Sequence, residues 1–144
     1  MATTVRTMLK DKTAVYAVTP SDTIFDALGL MAQHNIGAVL VLDGDQIRGI
    51  LSERDYARKI VLAGKTSKTT PVHEIMTTEV ISVDGAWTAD QCMALMTERR
   101  VRHLPVVEAG RLIGVISIGD VVRAVVAEQQ FTIDALEGYI TSRR

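Results

Sequence analysis

The sequence predicts a mixed α/β (α+β) protein made of two tandem copies of one small unit. Each copy is read as a three-stranded sheet with two helices, and the copies as a pseudo-two-fold pair. Three observations carry this. Val15–Ile60 aligns with Val80–Val125 at a shift of 65 without a gap, and ten of the 46 pairs are identical, against roughly three from average residue usage. Within each copy, short runs rich in Val, Ile and Leu alternate with stretches of helical spacing. Helix-start and turn signals fall at matching places in both copies.

Each copy opens with a short strand, Val15–Val18 or Val80–Val83. A helix follows, opened by Thr23 or Thr88. Thr88-Ala89-Asp90-Gln91 has the form of a capping box, and Thr23-Ile24-Phe25-Asp26 is its weaker counterpart. Apolar residues then recur on one helical face: Ile24, Leu28 and Met31, then Cys92, Leu95 and Met96. The first helix is expected to stop near Asn35-Ile36-Gly37, where Asn and Gly tolerate the left-handed cap. Two strands come next, Ala38–Leu42 and Ile47–Leu51, joined by the hairpin turn Asp43-Gly44-Asp45-Gln46. Their counterparts are Leu104–Val107 and Leu112–Ile116, around Glu108-Ala109-Gly110-Arg111. A second helix begins at Ser52 or Ser117. Gly64–Pro71 is polar, small and ended by proline, as a linker should be. This divides the chain into residues 1–68, with the first repeat, and residues 69–144, with the second repeat and a helical tail. That tail still carries Phe131, Ile133, Leu136, Tyr139 and Ile140, so it should pack on something, a second subunit being one option.

Composition narrows the function classes. The chain has 144 residues, 47% hydrophobic and 23% charged, with a net charge of -1 and a pI of about 6.3. No broad basic surface is available for a phosphate backbone, so nucleic acid is a poor partner. No apolar stretch approaches the roughly 18–20 residues of a membrane span. The first residues, Met1–Arg6, lack the apolar region of a secretory signal. The lone Cys92 excludes an intrachain disulfide and fits a reducing compartment. A soluble, cytoplasmic protein is expected.

The duplicated Gly-hydrophobic-x-Ser-x-x-Asp is the most specific motif: Gly49-Ile50-Leu51-Ser52-Glu53-Arg54-Asp55, then Gly114-Val115-Ile116-Ser117-Ile118-Gly119-Asp120. Arg102-His103-Leu104-Pro105-Val106-Val107 enters the second copy's middle strand, and Val72-His73-Glu74-Ile75-Met76-Thr77 introduces that copy. With the gapless order of elements, these features make the chain resemble a stand-alone CBS domain pair, or Bateman module, from about Val5 to Ala127. The resemblance implies two repeats paired as a disc, with clefts between them that commonly hold adenosine-containing ligands.

The residues support a nucleotide site by their own chemistry. Ser52 and Ser117 stand where a strand turns into a helix, and free N–H groups and the helix dipole there suit a phosphate. Asp55 and Asp120 follow one turn later, and a carboxylate can accept both hydrogen bonds of a ribose cis-diol. Gly49 and Gly114 would let a ligand approach the backbone. Ser-x-x-Asp is also close to a capping box, and capping alone could explain both copies at about 1 kcal/mol each. The resemblance further implies phosphate-binding side chains at Arg102 and His103 before Pro105. The first copy has Gly37, Ala38 and Leu40 at those positions, with Arg54 as its compensating cation, so the two clefts should differ. Arg99, Arg100 and Arg102 could equally form a solvated turn, and His103 could be a partly buried histidine. The resemblance also implies the base against backbone near Tyr16 and Ile81. Apolar walls would come from Ile50, Leu51, Val115 and Ile116, which any core strand would also have.

Other chemistries fit poorly. Ala63-Gly64-Lys65-Thr66 resembles the end of a P-loop, but the required earlier glycine is replaced by Lys59. No Gly-x-Gly-x-x-Gly follows a strand. His34, His73, His103 and Cys92 match no zinc spacing, and Cys92 reads as core. No nucleophile, base and orienting group assemble from the sequence. Trp87 reads as a packing or dimer contact. The resemblance, with these exclusions, implies a non-enzymatic regulatory module of the energy-sensing kind. It would bind an adenine nucleotide (AMP, ADP, ATP or NAD(H)) as a regulatory ligand, form a homodimer, and signal to an effector protein in trans. The alternative is a dimeric interaction scaffold without ligand.

Overall fold

The computed structural model describes residues 2–12 and 14–142. The chain forms two compact units, Val15–Ile81 and Met1–Ala14 with Ser82–Arg144.

In the first-repeat unit, β1 (Ala17–Val18) lies parallel to β2 (Ala38–Asp43), and β2 pairs antiparallel with β3 (Gln46–Ser52). Helix α2 (Ile24–His34) starts on a complete Thr23/Asp26 capping box and ends on Asn35 in the left-handed conformation, φ 53°. Helix α3 (Glu53–Asp55) runs on as a π-helical turn over Tyr56–Val61. The core unites Val18, Ile24, Ala27, Met31, Val39, Val41, Leu51 and Ile60 with Val72 and Ile75. These last two belong to the segment that precedes the second repeat in sequence. Ile50 and Thr77 exchange both backbone hydrogen bonds, at 3.0 and 2.9 Å, which fastens this segment to β3.

The second-repeat unit begins with α1 (Val5–Met8), capped by Thr4, and a 3-10 turn over Leu9–Asp11. Helix α4 (Ala89–Arg99) has its own complete capping box, Thr88/Gln91. The antiparallel pair β4 (His103–Glu108) and β5 (Arg111–Ser117) leads into α5 (Ile118–Ser142), a single helix that includes the tail. Arg143 and Arg144 lie outside the described residues. Both hairpins carry the same irregularity, between Val41 and Leu42 and between Val106 and Val107. Val5, Val83, Ala89, Cys92, Met96, Leu104, Val106, Ile116 and Val121 are buried here.

The expected third strand of this second sheet, Val80–Val83, is reduced to one bridged residue, Val83 opposite Val106. The cause is local. In the first unit the Leu40 N–H donates to the Tyr16 carbonyl at 3.4 Å. The repeat counterpart of Leu40 is Pro105, which has no N–H to give. Only the bonds around Val83 survive, from its N–H to Pro105 O (3.0 Å) and from Val107 N–H to its own carbonyl (2.8 Å).

The segments ahead of the two repeats play equivalent parts. Val5 N–H donates to Trp87 O and Arg6 N–H to Gly85 O; Val72 N–H donates to Asp22 O and His73 N–H to Pro20 O. Thr3 O accepts from Ala89 N–H as Thr70 O does from Ile24 N–H. Each of Val5 and Val72 is fully buried in its unit.

Candidate functional site

In each unit the motif Ser-x-x-Asp sits at the junction of the hairpin's second strand and the helix that follows. In the first unit, Ser52 N–H (3.0 Å) and Oγ (3.1 Å) both donate to Asp55 Oδ2, and Asp55 N–H donates back to Ser52 Oγ (3.2 Å). Lys59, one turn on, reaches Asp55 Oδ1 at 3.3 Å and Ile75 O at 3.0 Å. In the second unit, Ser117 N–H (2.8 Å) and Oγ (3.0 Å) donate to Asp120 Oδ2, and Asp120 N–H returns to Ser117 Oγ (3.2 Å). Both aspartates therefore close capping boxes. The box uses Oδ2 and leaves Oδ1 of each aspartate outside it.

The second junction carries more charge. Lys12 Nζ donates to Asp120 Oδ2 (2.6 Å) and to Val115 O (2.9 Å), and Arg123 donates to Asp120 Oδ1 (2.7 Å). His103 stands opposite Ser117 in the β4–β5 register, and Arg102 O accepts from Ile118 N–H at 2.8 Å. Burial pushes the His103 imidazole below its ordinary value, with the charges of Lys12 and Arg102 acting the same way and Asp120 opposing them. At Asp120, burial alone would raise the carboxyl. The hydrogen bonds from Lys12 and Ser117 and the Lys12 charge outweigh it and hold the group below the usual range. The site thus pairs an ionised carboxylate with a neutral imidazole at neutral pH.

Arg102 is exposed, beside the half-buried His103; Arg54 is exposed beside Asp55. Tyr16 stacks its ring on His34, with centroids 3.7 Å apart. Ile81 is half-buried in the irregular stretch after Thr77. Pro105 is buried, its carbonyl taken by Val83. Ile116 and Leu51 are fully buried in their cores, whereas Val115 and Ile50, on the opposite strand face, are half-buried. What approaches the two glycines is the chain itself. A Cβ at Gly49 would lie 2.7 Å from Thr77 O and 2.8 Å from Met76 Sδ, and one at Gly114 would lie 2.7 Å from Leu9 Cδ2.

Sequence reasoning missed Lys12 and Arg123. No motif marks Lys12. A shift of 67, which pairs Val5 with Val72 and Leu9 with Met76, would have shown that its segment is a repeat of the one that packs on β3. Arg123 was visible as an identical pair with Arg58. Among the described residues no group of three His, Cys, Asp or Glu side chains could hold a metal ion. Cys92 is buried in the core, and burial pushes its thiol up to about 11. An open groove of about 590 Å³ lies elsewhere, along α5 at Val125, Glu128, Gln129, Thr132 and Ile133 with Ala2 and Asp90, and no junction residue lines it.

The CBS domain family model matches twice, over residues 7–62 and 72–127. The chain belongs to the CBS domain family. A CBS-domain protein from Burkholderia ambifaria MC40-6, assigned to signal transduction, is 56% identical, covers 91% of this chain and 99% of its own, and superposes with a TM-score of 0.85. The mitochondrial CBS domain-containing protein CBSX3 of Arabidopsis thaliana is 46% identical over 127 residues, 85% of this chain and 62% of that relative's length. The CBS domain pair of protein MJ0100, solved with 5′-methylthioadenosine and S-adenosylmethionine, is 23% identical with a TM-score of 0.77 over 89% of this chain and 99% of its own; it shares the fold. No helix among the described residues of this CBS pair is long and apolar enough to cross a membrane.

Proposed function

We propose that this CBS pair is a non-enzymatic regulatory sensor of an adenine nucleotide, AMP, ADP, ATP or NAD(H), in the cytoplasm. One observation carries the reading: a strand-to-helix junction where a carboxylate fixed on the N-cap, Asp120, is bonded by Lys12 and Arg123 and lies near His103, whose neighbour Arg102 adds a further cation. The carboxylate suits a ribose diol, and the cations with the helix N-terminus suit phosphate. Ligand binding would shift the population of arrangements, and an effector protein would read that shift in trans. The first-repeat junction, with Asp55, Ser52, Arg54 and Lys59, is the weaker or differently selective site.

The partner on the helical tail is a second copy of the chain. Val122, Val126, Ile133, Leu136 and Ile140 recur on one face of α5 and are all exposed. Ile133→Lys with Ile140→Lys should convert the dimer to monomer in analytical ultracentrifugation. A wild-type monomer at tens of micromolar would refute this contact.

The sensor reading is tested by thermal unfolding of nucleotide-free protein with AMP, ATP, NADH and S-adenosylmethionine in turn. A ligand at 100 times its Kd adds about 2.7 kcal/mol. The shift should vanish in Asp120→Asn, which keeps the cap but loses the charge. An absence of any shift with all four ligands would favour a dimeric scaffold instead. The observation on that side is that both aspartates already complete their capping boxes.

A further inference from the structure

We propose that Lys12 competes with a ligand ribose for Asp120 and passes to a ligand phosphate on binding, so that the second-repeat site selects phosphorylated ribonucleosides over neutral nucleosides. This rests on the nucleotide reading above and adds its selectivity. The hydrogen-bond inventory of Asp120 leads to it. Oδ2 already accepts from Ser117 N–H, Ser117 Oγ and Lys12 Nζ, and Oδ1 accepts from Arg123. Each carboxylate oxygen offers about two lone-pair directions, so Oδ1 can take one more donor while Oδ2 is full, and a cis-diol that bonds both oxygens needs Lys12 to leave Oδ2. The Ser117 bonds are part of the helix cap. Arg123 is three-quarters exposed and can swing into water, whereas Lys12 is 38% exposed and also tied to Val115 O.

Lys12 and Arg123 share Asp120, Lys12 and Arg102 both act on His103, and among the described residues Asp120 is the carboxylate paired with Lys12, so a displaced Lys12 ammonium loses its counter-charge. Burial and Lys12 keep His103 neutral, so it adds no charge of its own. A neutral nucleoside takes the carboxylate and leaves the cations unbalanced. A phosphorylated one brings the anion that Lys12 has lost, in a charge-assisted bond. A cationic sulfonium ligand is disfavoured for the same reason. The first unit has no equivalent, because Asp55 is held by Lys59 of its own helix and not by a separate segment.

Calorimetric titration of adenosine and ATP into nucleotide-free protein, in an Asp55→Asn background, tests the exchange. Lys12→Met and Lys12→Gln are compared with Lys12. An ion pair of this exposure is worth up to about fivefold in affinity. Adenosine should therefore bind roughly two- to fivefold more tightly to both variants, while ATP gains the same relief but loses the Lys12–phosphate bond, so the ATP-to-adenosine preference falls roughly two- to fivefold. Binding by all three proteins with an unchanged preference would overturn the role of Lys12 and leave the nucleotide reading standing. No binding of either ligand to any of the three would overturn both.

Discussion

Two neighbouring groups at the head of α5 respond to acid in the same direction. His103 has its pKa depressed from 6.5 in the folded chain, so the unfolded chain binds more protons just below that value. Stability is then fully present above about 6.5 and falls as pH drops through that window. Asp120, depressed from 3.8, keeps its contribution until pH falls below that value. His103→Gln should flatten the decline of Tm between pH 7 and pH 5 and leave the steeper loss near pH 3–4. An unchanged slope between pH 7 and pH 5 would assign the decline to other groups. Turn chemistry gives a second prediction at this scale. Ala109 and Gly110 both have positive φ, 50° and 76°, the hairpin geometry that favours Asn-Gly. An alanine in the left-handed region costs about 1–2 kcal/mol, so Ala109→Asn should stabilise the protein by about 1 kcal/mol in urea unfolding.

The elements that matter most are the two leading segments, whose last apolar residues press on the glycine of the hairpin's second strand in each unit. At Gly49 the obstacle to a Cβ is the Thr77 carbonyl, fixed by its paired bonds with Ile50. At Gly114 it is the end of the Leu9 side chain, which can rotate. Gly49→Ala should therefore cost about 1–3 kcal/mol, and Gly114→Ala clearly less. Equal costs in denaturant unfolding would mean that Leu9 is as rigid as backbone. The helices after the junctions also differ: α3 loosens into a π-helical turn by Val61, while α5 continues for 25 residues with an apolar face in solvent. A helix of that length gains most of its stability from packing, which is why a second copy is the occupant tested above.

For the whole molecule, each unit is completed by a segment distant from it in sequence or assigned by sequence to the other copy. Val5 is buried with the second repeat and Val72 with the first. Val5→Ala and Val72→Ala should each cost about 1–3 kcal/mol, with distinct addresses. Amide exchange should accelerate first across residues 82–142 for Val5→Ala and across 15–81 for Val72→Ala. The reverse pattern would place the segments on the other repeats. Docking of the leading segment also brings Lys12 to Asp120, so the second unit's stability and its site depend on one stretch of chain.

The amino-acid pattern determined by itself what depends on neighbours within a few residues. The repeat, the Thr23 and Thr88 caps, the stop at Asn35, both hairpins and the Ser-x-x-Asp junctions are set by local hydrogen bonds and by side-chain periodicity, and all were legible. The shortening of the second sheet's outer strand was not, because the Leu40 donation to Tyr16 that Pro105 cannot repeat is a contact of the fold. Which repeat each leading segment joins was not, because Val5-x-x-x-Leu9 and Val72-x-x-x-Met76 carry the same apolar spacing and fit either core equally well. That choice, and with it the arrival of Lys12 on Asp120, is fixed by contacts far apart in sequence, Val72 with Asp22, Val5 with Trp87 and Lys12 with Asp120, where chain connectivity and packing decide and local pattern has no vote.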